Sequence, residues 1–197
     1  MSNKEMVSLN DAIEQIKKTA TRLALLHLGF SKILSEEFGE EKAKELIIKS
    51  IVEYGKLVGK HQKQDNLPFF GLYEKQYYKD QEFVDLRKIP LSKDEKFDFK
   101  YFKAYGCAIG MTFIELQEKE LGQLYCYIDA AKSMSEDLEK KLIHTDCVLC
   151  GDDYCTFKYS STSEKEKEDF KNNDKDWKNI DPLLLKKNKP AGSGLES

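Results

Sequence analysis

The sequence predicts an α+β fold, with long helices first and a cysteine-rich hairpin late in the chain. Three observations predict it: apolar residues recurring every three or four positions from Ile13 to Val58, two β-rich runs on either side of Gly151-Asp152-Asp153, and Cys147, Cys150 and Cys155 crowded where those runs meet. A chain of 197 residues can bury one core without disulfide staples.

Ser8-Leu9-Asn10-Asp11 offers capping side chains just before Ile13, Ile16, Ala20, Leu23, Leu26, Phe30 and Ile33, so the first element is a long amphipathic helix. Gly39 punctuates it, and Ala43, Leu46, Ile47, Ile51, Tyr54 and Val58 begin a second helical series. Two antiparallel helices joined by a tight turn are the simplest result. From Gln64 to Lys96, Asn66, Pro68, Gly71 and Pro90 lie among many Tyr, Phe and Lys residues and mark loops. Phe97, Phe99 and Tyr101 then alternate with Asp98, Lys100 and Phe102 as a strand, ended by Gly106-Cys107. Ile109, Thr112, Phe113, Leu116, Leu124 and Ile128 read as one helical face with a break at Gly122.

Between Leu138 and Ser160, Gly151-Asp152-Asp153 separates Leu142, Ile143, Thr145, Val148 and Leu149 from Tyr154, Thr156, Phe157 and Tyr159, which makes a hairpin. Residues 1–162 are read as a single domain. Residues 163–197 are dense in Lys, Glu, Asp and Asn and read as a charged tail, with Trp177 and Leu183 to Leu185 as its means of docking.

The 32 basic and 35 acidic side chains leave a net charge of −3 and are interspersed, against the clustered basic charge that nucleic-acid binding needs. Met1 to Met6 lacks the pattern of a signal peptide, and no apolar run is long enough for a membrane span. The expected compartment is the cytoplasm, and the expected partner is a small molecule rather than nucleic acid or membrane, with a homodimer as an open arrangement. Thiols stay reduced in that compartment. Five cysteines, an odd number, therefore read as ligands, nucleophiles or buried packing.

Thiolates and imidazoles are the donors zinc prefers, and His144, Cys147, Cys150 and Cys155 supply them within one hairpin. A loop centred on Gly151 sets Cys147 opposite Cys155 on one sheet face. His144 lies three residues before Cys147, so joint ligation requires a bulge or twist. Cys150 meets the same parity problem, and either it or His144 is a bystander. The competing reading takes the cysteines as small apolar fillers of the sheet. His27 and His61 have structural readings, as a packed core histidine and as a cation near a helix end. Asp152 and Asp153 are first of all turn formers. Phe69, Phe70, Tyr77 and Tyr78 read as core or lid residues, or as the lining of a small-molecule pocket.

Gly106-Cys107 before a helix, Leu121-Gly122-Gln123-Leu124-Tyr125-Cys126-Tyr127-Ile128-Asp129 and Gly151-Asp152-Asp153-Tyr154-Cys155-Thr156-Phe157 together resemble the L-2-amino-thiazoline-4-carboxylic acid hydrolase family. Phe38-Gly39-Glu40-Glu41-Lys42-Ala43 and the helix through Tyr54-Gly55 extend the likeness over most of residues 8 to 160. The resemblance implies helices packed on a small antiparallel sheet, with a small-molecule site. More remotely, the same half is similar to vinyl-reductase-like ligand-binding domains, which hold zinc by an upstream Cys, an acidic residue and two Cys separated by seven residues. Cys126, Cys147 and Cys155 match those cysteines in order, with His144 in place of the acidic ligand.

The function implied is hydrolysis of a heterocyclic or sulfur-containing small molecule. Zinc on Cys126, His144, Cys147 and Cys155 would lower the pKa of a water, with Cys107 nearby. In a metal-free version Cys126 or Cys155 attacks as a thiolate and His144 serves as base. The alternative is a non-catalytic binding or sensory domain with structural zinc.

Overall fold

The computed structural model describes residues 8–65, 107–172 and 175–184. The expected strand at Phe97 to Phe102 and most of the expected loop region lie outside them. Helix α1 spans Leu9–Phe38 and α2 spans Glu40–Asp65. The Ser8 hydroxyl accepts the Asp11 amide N–H at 3.1 Å, giving one of the free donors of the first turn a partner. At the other end the Gly39 amide donates to Ser35 O at 3.0 Å, and α2 starts at the next residue. Ala24 and Leu28 of α1, with Ala43, Ile47 and Ile51 of α2, are buried in the common core.

The face expected as one helix broken at Gly122 is instead three helices, α3 (Ala108–Glu115), α4 (Lys119–Tyr125) and α5 (Ile128–Glu136). The chain turns at Gln117, whose φ is 59°, and again at Cys126-Tyr127. Gly122 lies within α4 for a packing reason: a Cβ there would come within 2.3 Å of Phe113 Cγ. A glycine that admits a neighbouring ring looks, in sequence, like one that breaks a helix. Close approach also brings α5 against α2, where a Cβ on Gly55 would lie 2.6 Å from Ala131 Cβ.

Strand β1 (Lys140–Asp146) pairs antiparallel with β2 (Thr156–Ser161), so the expected hairpin is present and the fold is α+β. Ser133 Oγ on α5 accepts the Leu142 amide at 2.7 Å, fixing β1 to the helix layer. The connection differs from the tight Gly-Asp-Asp turn. Val148–Cys150 forms a short 3₁₀ turn before Gly151, and Val148 and Leu149 are buried in that turn rather than in a strand.

After β2 the chain forms α6 (Glu164–Asn172) and a 3₁₀ turn, Lys175–Asn179. Phe170, Trp177, Ile180 and Leu184 are buried, and the Phe170 and Trp177 rings lie 5.3 Å apart. The body holds this segment by hydrogen bonds as well: Tyr127 Oη donates to Lys178 O at 2.8 Å and Gln123 Nε2 to Leu184 O at 2.7 Å. Docking thus uses Trp177 and Leu184, joined by Phe170 and Ile180, while Leu185 lies outside the described residues. Among the described residues no helix is long and apolar enough to cross a membrane.

Candidate metal centre

Four elements converge on one buried point. Cys126 caps the C-terminus of α4, His144 projects from β1, Cys147 follows β1, and Cys155 immediately precedes β2. The pairing changes register between His144 and Asp146: Leu142 faces Tyr159 and His144 faces Phe157, but Asp146 faces Thr156. That irregularity is the bulge that strand parity demands of His144 and Cys147, because an inserted residue returns both side chains to one face. Ligand atoms of Cys126, His144 and Cys147 all lie within 4.8 Å of one another.

The other thiols stand at graded distance from this trio. Cys155 hydrogen-bonds to Cys147 and its Sγ accepts the Val148 amide at 3.4 Å, but it is not part of the 4.8 Å group. Cys150 also reaches Cys147, brought round by the 3₁₀ turn, and Gln123 Nε2 donates to its Sγ at 3.1 Å. Cys107 caps the start of α3 outside the trio, close enough to Cys147 and Asp129 to feel their charge. Asp152 acts as the expected turn former, its carboxylate accepting the Cys147 amide at 2.9 Å.

His144 is buried at 5% exposure. Its backbone N–H and Nδ1 both lie on Asp181 Oδ2, at 2.9 and 2.8 Å, and its Nε2 is 3.6 Å from Asp129 Oδ2. Burial presses its pKa down, but the Asp181 hydrogen bond and the negative charge of Cys147 and Asp129 outweigh it and hold the imidazole at about 9. Cys147 is pushed the opposite way, well below an ordinary thiol, by hydrogen bonds from Cys126, Cys150 and Cys155 and by the imidazolium. Those same bonds hold Cys126, Cys150 and Cys155 above the ordinary value, with burial adding to the rise; for Cys107 burial is the largest cause.

This donor set suits a soft divalent cation. Several buried thiols crowd round Cys147, and a cation would let more than one of them ionise in the same space. Zinc bonds of ~2.0–2.3 Å at tetrahedral angles place donors roughly 3.5–3.8 Å apart, inside the spacing of the trio.

Sequence reasoning missed Asp129, Gln123 and Asp181. Asp129 follows Cys126 by three residues, a spacing that offered a signal; Asp181 sits in the charged tail and offered none. His27 has its expected structural place, buried with Nε2 2.8 Å from Leu121 O and edge-on to Phe113 and Tyr125. An apolar groove of about 670 Å³ opens beside it between α1 and α2, lined by Leu26, Phe30, Ile51 and Tyr125 among others and by no cysteine.

The family model described as L-2-amino-thiazoline-4-carboxylic acid hydrolase matches residues 19–159, a span holding Cys107, Cys126, His144, Cys147 and Cys155. Neither the curated proteins nor the solved structures contain a match. With the match covering well over half of its length, the chain belongs to the L-2-amino-thiazoline-4-carboxylic acid hydrolase family.

Proposed function

We propose that this chain is a cytoplasmic hydrolase of small heterocyclic or sulfur-containing molecules, acting at a zinc site formed by Cys126, His144, Cys147 and Cys155. The observation that carries it is the convergence of the Cys126, His144 and Cys147 donors within 4.8 Å, in a member of a family named for a hydrolase. Cys155, a free thiol beside Cys147, is the fourth proposed ligand. A bound zinc supplies Lewis acidity toward water and an acceptor for a departing sulfur.

The chain's own residues do the rest. Asp181, 2.8 Å from Nδ1, and Asp129, 3.6 Å from Nε2, hold His144 between two carboxylates, and as a ligand the imidazole is neutral with its Nδ1–H donated to Asp181. Cys107, at the start of α3, is the remaining proposed catalytic thiol. In the overall reaction, water oxygen bonds to an amidine-like carbon and becomes a urea-type carbonyl. The carbon–sulfur bond breaks, the sulfur leaves as a thiol with one water proton, and the former imine nitrogen takes the other.

The second reading is a non-catalytic ligand-binding or sensory domain with structural zinc. Complete burial of Cys147 and near-complete burial of His144 favour it, because a closed four-ligand shell leaves no room for substrate. Metal analysis of chelator-free protein, combined with thiol release from a panel of 2-substituted thiazolines, separates the readings. Zinc with turnover that Cys126→Ser abolishes supports the hydrolase. Zinc with no turnover but ligand-dependent thermal stabilisation supports the sensory domain.

A further inference from the structure

The family match ends at residue 159, yet a residue beyond it lies 2.8 Å from the Nδ1 of the site's histidine. Asp181 is 1% exposed and lies in the segment that docks through Trp177, Ile180 and Leu184. Its two oxygens have separate partners. Oδ1 accepts the Leu183 amide at 3.1 Å, which fixes the carboxylate to its own segment. Oδ2 accepts from both the backbone N–H and Nδ1 of His144, at 2.9 and 2.8 Å.

We propose that Asp181 is the positioning residue of the metal site, delivered by the docked segment 175–184, and that it fixes His144 so that Nε2 is the ligating atom. This rests on the zinc reading above. The physical reason is that an imidazole ring has two nitrogens and a rotatable ring plane. Engaging Nδ1–H with a buried carboxylate sets the tautomer, stops the ring from turning and makes Nε2 a better donor. A second anchor on the His144 backbone makes the constraint bidentate, so strand β1 and its side chain are held by one oxygen. The segment itself is clamped to α4 and its following turn by Gln123 to Leu184 O and Tyr127 to Lys178 O, so it provides a rigid support.

The test uses the full chain and three variants: Asp181→Ala, which removes the acceptor; Asp181→Asn, which keeps an acceptor oxygen without the charge; and Tyr127→Phe, which weakens docking without touching His144. Zinc affinity is measured by competition with a chromophoric chelator, and the His144 Nδ1–H is followed by NMR in metal-free protein. Loss of a partner to a metal-bound histidine typically costs ~10–100-fold in metal affinity. Asp181→Ala should show a loss of that size and lose the protected Nδ1–H signal. Asp181→Asn should retain the signal and lose less affinity, and Tyr127→Phe, which keeps the acceptor but loosens the segment that carries it, should lower thermal stability and cost less affinity than Asp181→Ala. Wild-type affinity in Asp181→Asn and Asp181→Ala, or a loss in Tyr127→Phe as large as in Asp181→Ala with the Nδ1–H signal intact, would overturn the proposal; if Asp181→Ala does not fold, wild-type affinity in Asp181→Asn alone does so. Failure of wild-type protein to take up zinc would overturn the metal reading instead. The Nδ1–H signal then decides by itself whether Asp181 orients the ring.

Discussion

Asp129 Oδ2 lies 3.6 Å from His144 Nε2, so the imidazole stands between this carboxylate and Asp181, which holds Nδ1 at 2.8 Å. Asp129 follows Cys126 by three residues and also pairs with Lys132 at 3.5 Å. The same short stretch thus contributes a thiol to the cluster and a charge beside its histidine.

Zinc should co-purify at about one ion per chain. Cys126→Ser and Cys147→Ser should each lower the zinc content, while His27→Gln should leave it unchanged and cost ~1 kcal/mol of stability for its single hydrogen bond. Elemental analysis with denaturant melts reads both. Metal-free protein with undiminished stability would count against the site.

In metal-free protein, His144 should make stability depend on pH. Its folded pKa of about 9 stands above the ordinary 6.5, so its contribution is fully present below pH 6.5 and is lost as pH rises through about 9. The contribution should be on the order of a few kcal/mol. Urea midpoints of wild type and His144→Gln, compared between pH 6 and pH 9.5, isolate it. The gap between the two proteins should narrow at the higher pH, and a constant gap would refute the assignment.

Removing Cys155 should cost more stability than removing Cys150. Cys155 joins the two sides of the hairpin through Cys147 and the Val148 amide, whereas Cys150 meets Cys147 within one short turn and contacts Gln123 Nε2 and Leu183 O outside the hairpin. Equal melting temperatures for Cys155→Ser and Cys150→Ser would show that the cross-hairpin pairing carries no special weight.

Gly122→Ala should destabilise the protein by about 1–3 kcal/mol, the usual cost of forcing a methyl into a filled core. The added carbon would meet Phe113 Cγ at 2.3 Å and could be accommodated only by moving the ring. A neutral effect, read by thermal unfolding, would show that α3 and α4 can slide apart.

Amide exchange should be slow around Ile180, whose N–H donates to Trp177 O at 3.0 Å within a buried turn. Exchange at the rate of an open chain there would show that the segment bearing Asp181 is not held on the body.

The long helices and the hairpin were legible because each is written in local periodicity. Ser8 and Gly39 mark the limits of α1, and the β-rich runs on either side of Gly151-Asp152-Asp153 mark β1 and β2. The thiol cluster was legible as chemistry, since Cys147, Cys150 and Cys155 fall within nine residues. The breaks at Gln117 and Cys126 were not, because the apolar face runs on through them and only packing against Phe113 explains Gly122. What the sequence by itself determined is therefore the set of local elements and the soft donors they carry. Tertiary structure decided which donors meet: the register shift after His144 turns it toward Cys147, the 3₁₀ turn brings Cys150 alongside, and the docked segment supplies Asp181. The register shift and the docked segment depend on contacts between residues far apart in the chain, and neither the hydrophobic period nor the spacing of cysteines encodes such a contact.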